Sequence, residues 1–492
     1  MEAQTDFDVV IIGAGISGIN AAYRVQTQLP AGTSYTILEA RDSIGGTWDL
    51  FKYPGIRSDS DLYTFGFPWR PWMDERCIAE GPAIVNYMKE AAASEGIDSH
   101  IQFRHKLQTA SWSSELQKWR LDVTSGSEAT PKTFYATFLI MGTGYYDYDE
   151  PLSATIPGID TFAGQVVHPQ FWPSSLDYAN RRIVIIGSGA TAITLLPNLA
   201  SSGAAHVTML QRSPSYIVSQ PLVDGLDNFL RACLPAAAAF RLIRWRYLLT
   251  GYLFYFFCRA CPALARRLLR SETEAQLRDT GVAFDPHFNP SYAPWDQRVC
   301  ACPDADFFAA LRNGKASVVT DTIARVTPDG IALDSGESLP CDIIVTATGL
   351  KMRMGGGARI VVDGREVRFG EKLLWRGALM QDVPNAAFMI GYTNASWTLG
   401  ADAAAQLVTR VMRRMRDEGA TSCVARVGDG EEVPRPEPFM KLNSGYVNRA
   451  LERLPKAGDK GPWKARWSYF SDLWNAKVGD ITRGLEFRRV SS

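Results

Sequence analysis

The sequence carries no net charge: 52 lysines and arginines offset 52 aspartates and glutamates. Without a field of one sign there is nothing to draw in a polyanion, and nucleic acid is set aside as a partner. Long apolar runs are also missing. The first residues are acidic rather than basic, and the apolar run behind them, Val9 to Ile12, is far short of a secretory signal. The longest uncharged run of the apolar middle region, residues 247–258, has 12 residues. As a helix such a run spans roughly 18 Å against a hydrocarbon core of about 30 Å, so it cannot cross a bilayer. A cytoplasmic protein is expected. Metal-ligand spacing is the third absence: the eight cysteines (77, 233, 258, 261, 300, 302, 341, 423) never pair one CxxC with a second or with HxxxH. Reduced structural thiols and no metal are the expectation.

What is present is size and repetition. A chain of 492 residues, 46% of them apolar, exceeds what one core supports, and two or three domains follow. Residues 6–39 read as a βαβ unit: a buried strand "DVVIIG", a glycine turn, an amphipathic stretch "INAAYRVQTQL" and a second strand "SYTILEA". Residues 181–212 repeat the design as "RRIVIIG", "SGATAITLLPNLA" and "HVTMLQR". Each half also has a later apolar strand ending in glycine, "FLIMGTG" and "DIIVTATG", where the chain is expected to leave one domain for the other.

The fold class implied is α/β, with two Rossmann-like dinucleotide-binding domains and a helical insertion. The first domain takes residues 1–150 and, with a C-terminal cover, 350–492. The second takes 151–221 and 298–349, and the insertion is 222–297. Residues 226–270 are apolar and arginine-rich with Asp227 as the sole acid. Such a stretch is either packed on the nucleotide domains, the favoured reading, or laid on a membrane surface. Residues 401–419 read as a helix, and residues 431–467, dense in proline, lysine and tryptophan, as an irregular cover over it.

The glycines carry the chemistry. In "GAGISG", Gly13 permits the turn, Gly15 lets backbone approach a pyrophosphate and Gly18 lets helix and strand pack closely. Glu39 follows 26 residues after Gly13, placed to accept hydrogen bonds from ribose hydroxyls. The next segment, "GGTWDL", supplies Gly45, Gly46, Thr47 and Trp48 as a second close-approach loop. FAD is the dinucleotide chosen for this site. In "GSGATA", Gly187, Gly189 and Thr191 form the second cradle, with Ala192 at the third position. At the matching strand end, 25 residues after Gly187, stands Arg212 instead of an acid. A cation there suits the 2′-phosphate that a carboxylate would repel, so NADPH is expected. A flavin beside a nicotinamide is built for hydride transfer. No cysteine pair lies in the FAD fold to receive the electrons, which makes O₂ the expected acceptor.

Residues 162–173, "FAGQVVHPQFWP", resemble the FxGxxxHxxxWP fingerprint of class B flavin monooxygenases in its Baeyer–Villiger form. Through "GGTWDLFKYPGIRSDSDLYTFGF", "PWDQR", "GYTNASWTL" and "GYVNRALERLPKAG" the chain is also similar to the bacterial ethionamide-activating monooxygenase group. The resemblance implies that NADPH reduces FAD, that O₂ adds to flavin C4a, and that the peroxide attacks a ketone carbonyl to give an ester or lactone. It implies that Arg298 supplies a fixed positive charge beside the reacting oxygens, oriented by Asp59, and that His168 couples domain movement to turnover. It places Gln297 near the 2′-phosphate, where a lysine is common in the family. Trp397, Tyr392 and Asn394 would line the flavin or substrate pocket, an aromatic core being the alternative for the rings. Oxygenation of sulfides or thioamides is a rival chemistry, and a non-catalytic flavoprotein held at a membrane surface by residues 226–270 is a rival of another class.

Overall fold

The computed structural model describes residues 5–428, 432–440 and 444–489. Two sheets organise the chain, each around one of the glycine loops. In the first, strand Asp6–Ile12 lies between Tyr35–Leu38 and Thr130–Met141, parallel to both. Val9, Val10 and Ile11 are wholly buried, as expected of a parallel strand covered on both faces. The long strand Thr130–Met141 changes partners along its length. Its first half runs antiparallel to Lys118–Ser125, and its last three residues pair in parallel with Ala386–Phe388 from the far end of the sequence. That pairing returns the C-terminal part of the chain to the first domain.

The second sheet is fully parallel, in the order Ala316–Thr320, His206–Gln211, Arg182–Ile186, Ile343–Thr346 and Gln165–Val167. Helix Ala190–Ser201 covers it, and its Leu195, Leu196 and Leu199 have no exposed surface. Burying each such side chain stabilises the fold by about 1.5–3 kcal/mol.

Between Tyr145 and Arg353 the chain leaves the first sheet, builds the second and comes back. The outgoing and returning segments lie side by side. Asp147 N–H donates to Lys351 O at 2.8 Å and Arg353 N–H to Tyr145 O at 2.9 Å. Asp147, only 1% exposed, also pairs with Lys351 at 3.2 Å and Arg353 at 3.5 Å. Burial alone would push its carboxyl up. The backbone N–H of Asp149 and the two cations outweigh that and hold it below the usual carboxylate range.

The insertion leaves strand Ile217–Gln220 and returns at Cys300–Pro303, two short strands paired in parallel. It contains helices Gly225–Cys233, Ala236–Ala260 and Pro262–Gln276, the last two bent by 116°. No single described helix is long and apolar enough to cross a membrane, although that bent pair passes such a test jointly. The middle helix is anchored through buried Ile243, Leu248 and Tyr252, and through Arg244, which donates to the carbonyls of Tyr63 and Gly66.

The C-terminal helix runs Trp397–Asp417, four residues further toward the N-terminus than the sequence pattern implies. Tertiary contacts extend it: Trp397 Nε1 donates to Ser17 Oγ at 2.8 Å, and Asp402 receives Arg24 at 2.8 Å. The cover expected from residue 431 begins outside the described residues. Its described part holds short strands, Pro436–Pro438 and Lys456–Gly458, and two turns of helix rather than purely irregular chain.

Candidate functional site

In the first glycine loop the turn is set by Gly13 at φ +99°, where a Cβ would meet Gly142 O at 2.9 Å. At Gly18 an added Cβ would lie 1.8 Å from Gly13 O, so helix and strand touch through backbone as the spacing implies. Gly15 starts helix Ile16–Gln28, which has no side-chain cap and no acid in its first turn. Its open N–H groups therefore suit a pyrophosphate. Facing them across the cradle is Gly46, whose Cβ would come within 3.2 Å of Gly15 Cα. Thr47 Oγ1 is 2.9 Å from Tyr148 Oη, and Trp48 packs edge-on to Phe65 at 5.7 Å. These backbones and short side chains fit a flat dinucleotide.

Glu39 is buried at the end of its strand. Its carboxylate accepts from Ala14 N–H at 2.6 Å and Arg41 N–H at 2.8 Å. Burial pushes its pKa up, partly offset by those two backbone donors.

The second loop is built alike but more openly. Gly187 turns at φ +135°, with a Cβ bound for Ala347 O at 2.3 Å. A Cβ at Gly189 would meet nothing within 4 Å. The helix beginning at Ala190 is again uncapped and free of first-turn acids. Arg212 is exposed at the strand end and makes no hydrogen bond or ion pair among the described residues. Gln297 is half-buried in the loop before the second insertion strand and makes no hydrogen bond to Arg212.

One cavity joins the two loops. Gly15, Gly46, Thr47 and Trp48 line it from one side and Ala190 and Thr191 from the other, with Asp59 and Arg298 between them. Arg298 Nη1 donates to Asp59 Oδ2 although the residues are 239 positions apart. Both side chains keep about a third of their surface open to the cavity, 35% and 36%. Asp59 chiefly holds the guanidinium charged, raising an already high pKa further. Asp59 is itself fixed by its loop: Arg57, two residues earlier, forms a two-pronged ion pair with Asp306 at the start of helix Asp306–Arg312. A second cavity opens on the other side of the same pair, toward Leu248, Gly251, Tyr252 and Asn394.

His168 does not line either cavity. It sits where strand Gln165–Val167 ends, its Nδ1 accepting from Gln170 N–H at 3.2 Å while Gln170 Nε2 donates to Asp147 O at 2.7 Å. Burial pushes its imidazole pKa down, with a smaller opposing effect from the backbone of Gly349. It thus stands at the paired crossings, apart from Arg298.

Trp397 lines the first cavity against Tyr145, ring centres 4.8 Å apart. Tyr392 lines neither of these two cavities. Its hydroxyl donates to Asp472 at 2.5 Å within an apolar cluster, because the following helix seats it inward. Tyr145 and Tyr146, which belong to no motif, line the first cavity with hydroxyls 2.8 Å apart and pKa values pushed up by burial. Their sole sequence signal is their place directly after "MGTG". All eight cysteines are unpaired, and among the described residues no cluster could hold a metal.

Two glycine cradles opening on one cavity, with a fixed arginine–carboxylate pair between them, define a two-nucleotide oxidoreductase. A family profile described as pyridine nucleotide-disulphide oxidoreductase matches residues 10–224, a span holding both glycine loops. Its only cysteine is the buried Cys77, so disulfide chemistry does not come with the match. The chain is 47% identical over 484 residues to the FAD-containing monooxygenase EthA of Mycobacterium tuberculosis, covering 98% of each. It is 42% identical over 476 residues to the probable FAD-binding monooxygenase AlmA of Acinetobacter baylyi, covering 96% of this chain and 95% of the relative. Its fold matches an oxidised steroid monooxygenase bound to NADP with a TM-score of 0.76, at 21% identity over 99% of this chain and 100% of that one. Against an open structure of cyclohexanone monooxygenase the TM-score is 0.72, at 18% identity over 99% and 100% of the two chains. The chain belongs to the FAD-containing monooxygenase family.

Proposed function

We propose that this monooxygenase is of the Baeyer–Villiger type, consuming NADPH, a proton and O₂ to convert a hydrophobic ketone into an ester or lactone, NADP⁺ and water. Sulfides and thioamides are accessory substrates in this reading. The first nucleotide domain is assigned to residues 1–150 and 350–492, the second to 151–221 and 298–349, and the location to the cytoplasm. The observation that carries the reaction is the Arg298–Asp59 pair, set between the two cradles and open to both cavities.

FAD supplies the electron storage and the oxygen activation. Gly15 and Gly46 bring backbone close to its pyrophosphate, Gly13 and Gly18 shape the turn and the helix–strand packing behind it, and Glu39 has acceptor capacity left for its ribose. Gly187, Gly189 and Thr191 hold the nicotinamide dinucleotide, Arg212 takes the 2′-phosphate, and Gln297 adds a neutral hydrogen bond. Arg298 stabilises negative charge on the oxygens as they add to the carbonyl, a charge that a site screened from water makes effective. Asp59 aims it, and Tyr145, Tyr146 and Trp397 wall off water. His168 links the crossings to domain movement.

The test is turnover under isotopically labelled O₂ with NADPH and a ketone panel. One labelled oxygen atom in an ester or lactone product is expected. NADPH consumption that yields only hydrogen peroxide across the panel overturns the reading. Sulfoxide formation that survives loss of Arg298 while ester formation disappears would separate the heteroatom chemistry from the ketone chemistry.

A further inference from the structure

Helix Ala236–Ala260 has two unlike sides. Leu248, Gly251 and Tyr252 face the cavity that holds Arg298 and Asp59. On the opposite side Leu242, Trp245, Leu249, Leu253 and Phe256, spaced three or four residues apart, are each 43–66% exposed. A stripe of this spacing on a soluble surface marks an interaction face. It does not stop at the helix. Phe470 stacks on Trp245 at 6.0 Å and Trp467 meets Phe256 at 6.0 Å, carrying the apolar surface on to exposed Trp474.

The charges around the stripe select the occupant. Residues 226–270 hold eight arginines and one acid. Arg246, Arg259 and Arg270 are matched by carboxylates. Arg231 and Arg266 instead donate to backbone carbonyls, which satisfies their geometry and leaves their charge, while Arg244 does so beside the carboxylate of Asp61. Arg241 and Arg267 are exposed with no acidic partner among the described residues. A second copy of the chain would set like charge against like charge. Exposed leucine and aromatic side chains with flanking arginines match instead the interface of an anionic bilayer, where rings settle at headgroup depth and guanidinium groups meet phosphates.

We propose that this face docks the enzyme, in the plane of the interface, on an anionic lipid surface. The helix then lies between bilayer and reaction cavity, separating them by about 10 Å, so that apolar substrates reach the cavity from lipid. The delivery half of this proposal rests on the proposed reaction, and the docking half does not.

The experiment is flotation of the full-length holoenzyme with phosphatidylcholine vesicles and with vesicles containing phosphatidylglycerol. Binding to the anionic vesicles alone, weakened by salt, is expected. Trp245→Ser/Leu249→Ser/Leu253→Ser should lower the partition coefficient by about tenfold or more, and Arg241→Glu/Arg267→Glu should abolish the preference for anionic lipid. Both variants should keep wild-type NADPH consumption with a small water-soluble ketone, which shows them folded. Absence of wild-type protein from anionic vesicles overturns docking. So does a dimer in sedimentation that the triple substitution dissolves, or material that resists alkaline carbonate extraction. If vesicles bind but no ketone is ever consumed, docking stands and the proposed reaction falls.

Discussion

The two glycine loops share a design and differ in tightness. In the first, Gly18 leaves no room for a methyl group against Gly13 O, and Glu39 is buried on two backbone donors. In the second, alanine replaces the third glycine, Gly189 faces open space, and Arg212 has no partner among the described residues. A loop held rigid from behind suits a nucleotide that stays. A loop with an unmatched cation at its edge suits one that comes and goes, because the cation loses no existing partner when the ligand binds and regains solvent when it leaves.

The largest expected effect tests the tight loop. Gly18→Val drives a side chain into backbone 1.8 Å away, and the protein should purify without flavin, read as the absorbance ratio of flavin to protein. A fully yellow variant would show that the close packing is dispensable. Next comes the ion pair between the loops. Arg298→Ala should lower ester formation by about 10²–10³-fold, the range for removing a charge-stabilising donor, while NADPH still reduces the flavin. Arg298→Lys should recover only part, since a point charge lacks the planar fork. Unchanged product yield in both variants would remove Arg298 from the chemistry.

The open loop should give a more modest response. Arg212→Ala should raise KM for NADPH about 10- to 100-fold, as expected for one charge-assisted hydrogen bond, with kcat and the KM for NADH unmoved. Equal losses for the two nucleotides would contradict a 2′-phosphate contact. The smallest effect belongs to His168. Its folded pKa lies below the ordinary imidazole value of about 6.5, so the unfolded chain binds the proton more readily. Its contribution to stability is therefore present above that value and is lost as pH falls through the folded pKa. His168→Gln should flatten this part of the melting-temperature profile on the acid side of neutrality, and an unchanged slope would show that the imidazole is not the group responsible.

Much of this arrangement was legible in the sequence because the signals are local. Strand, glycine turn and helix follow one another within about 30 residues in each βαβ unit, and Arg212 stands at an offset the motif itself defines. The Arg298–Asp59 pair was legible only through resemblance, since nothing near either residue points to the other. The anchoring of Asp59 by Arg57 and Asp306 was not legible, being a contact across 249 positions that folding creates. Nor was the inward turn of Tyr392: an aromatic in "GYTNASW" reads equally as wall or core until the helix after it is placed. The early start of helix Trp397–Asp417 depends likewise on Ser17 and Arg24, which lie in another part of the chain.

The insertion leaves one strand and returns on its neighbour, and Arg298 stands directly after its last residue, two positions before strand Cys300–Pro303. Its aspartate partner lies 239 positions earlier in the chain. The guanidinium therefore reaches its carboxylate only when the insertion is seated, so the charge that the proposed reaction uses depends on how a segment remote from both glycine loops packs.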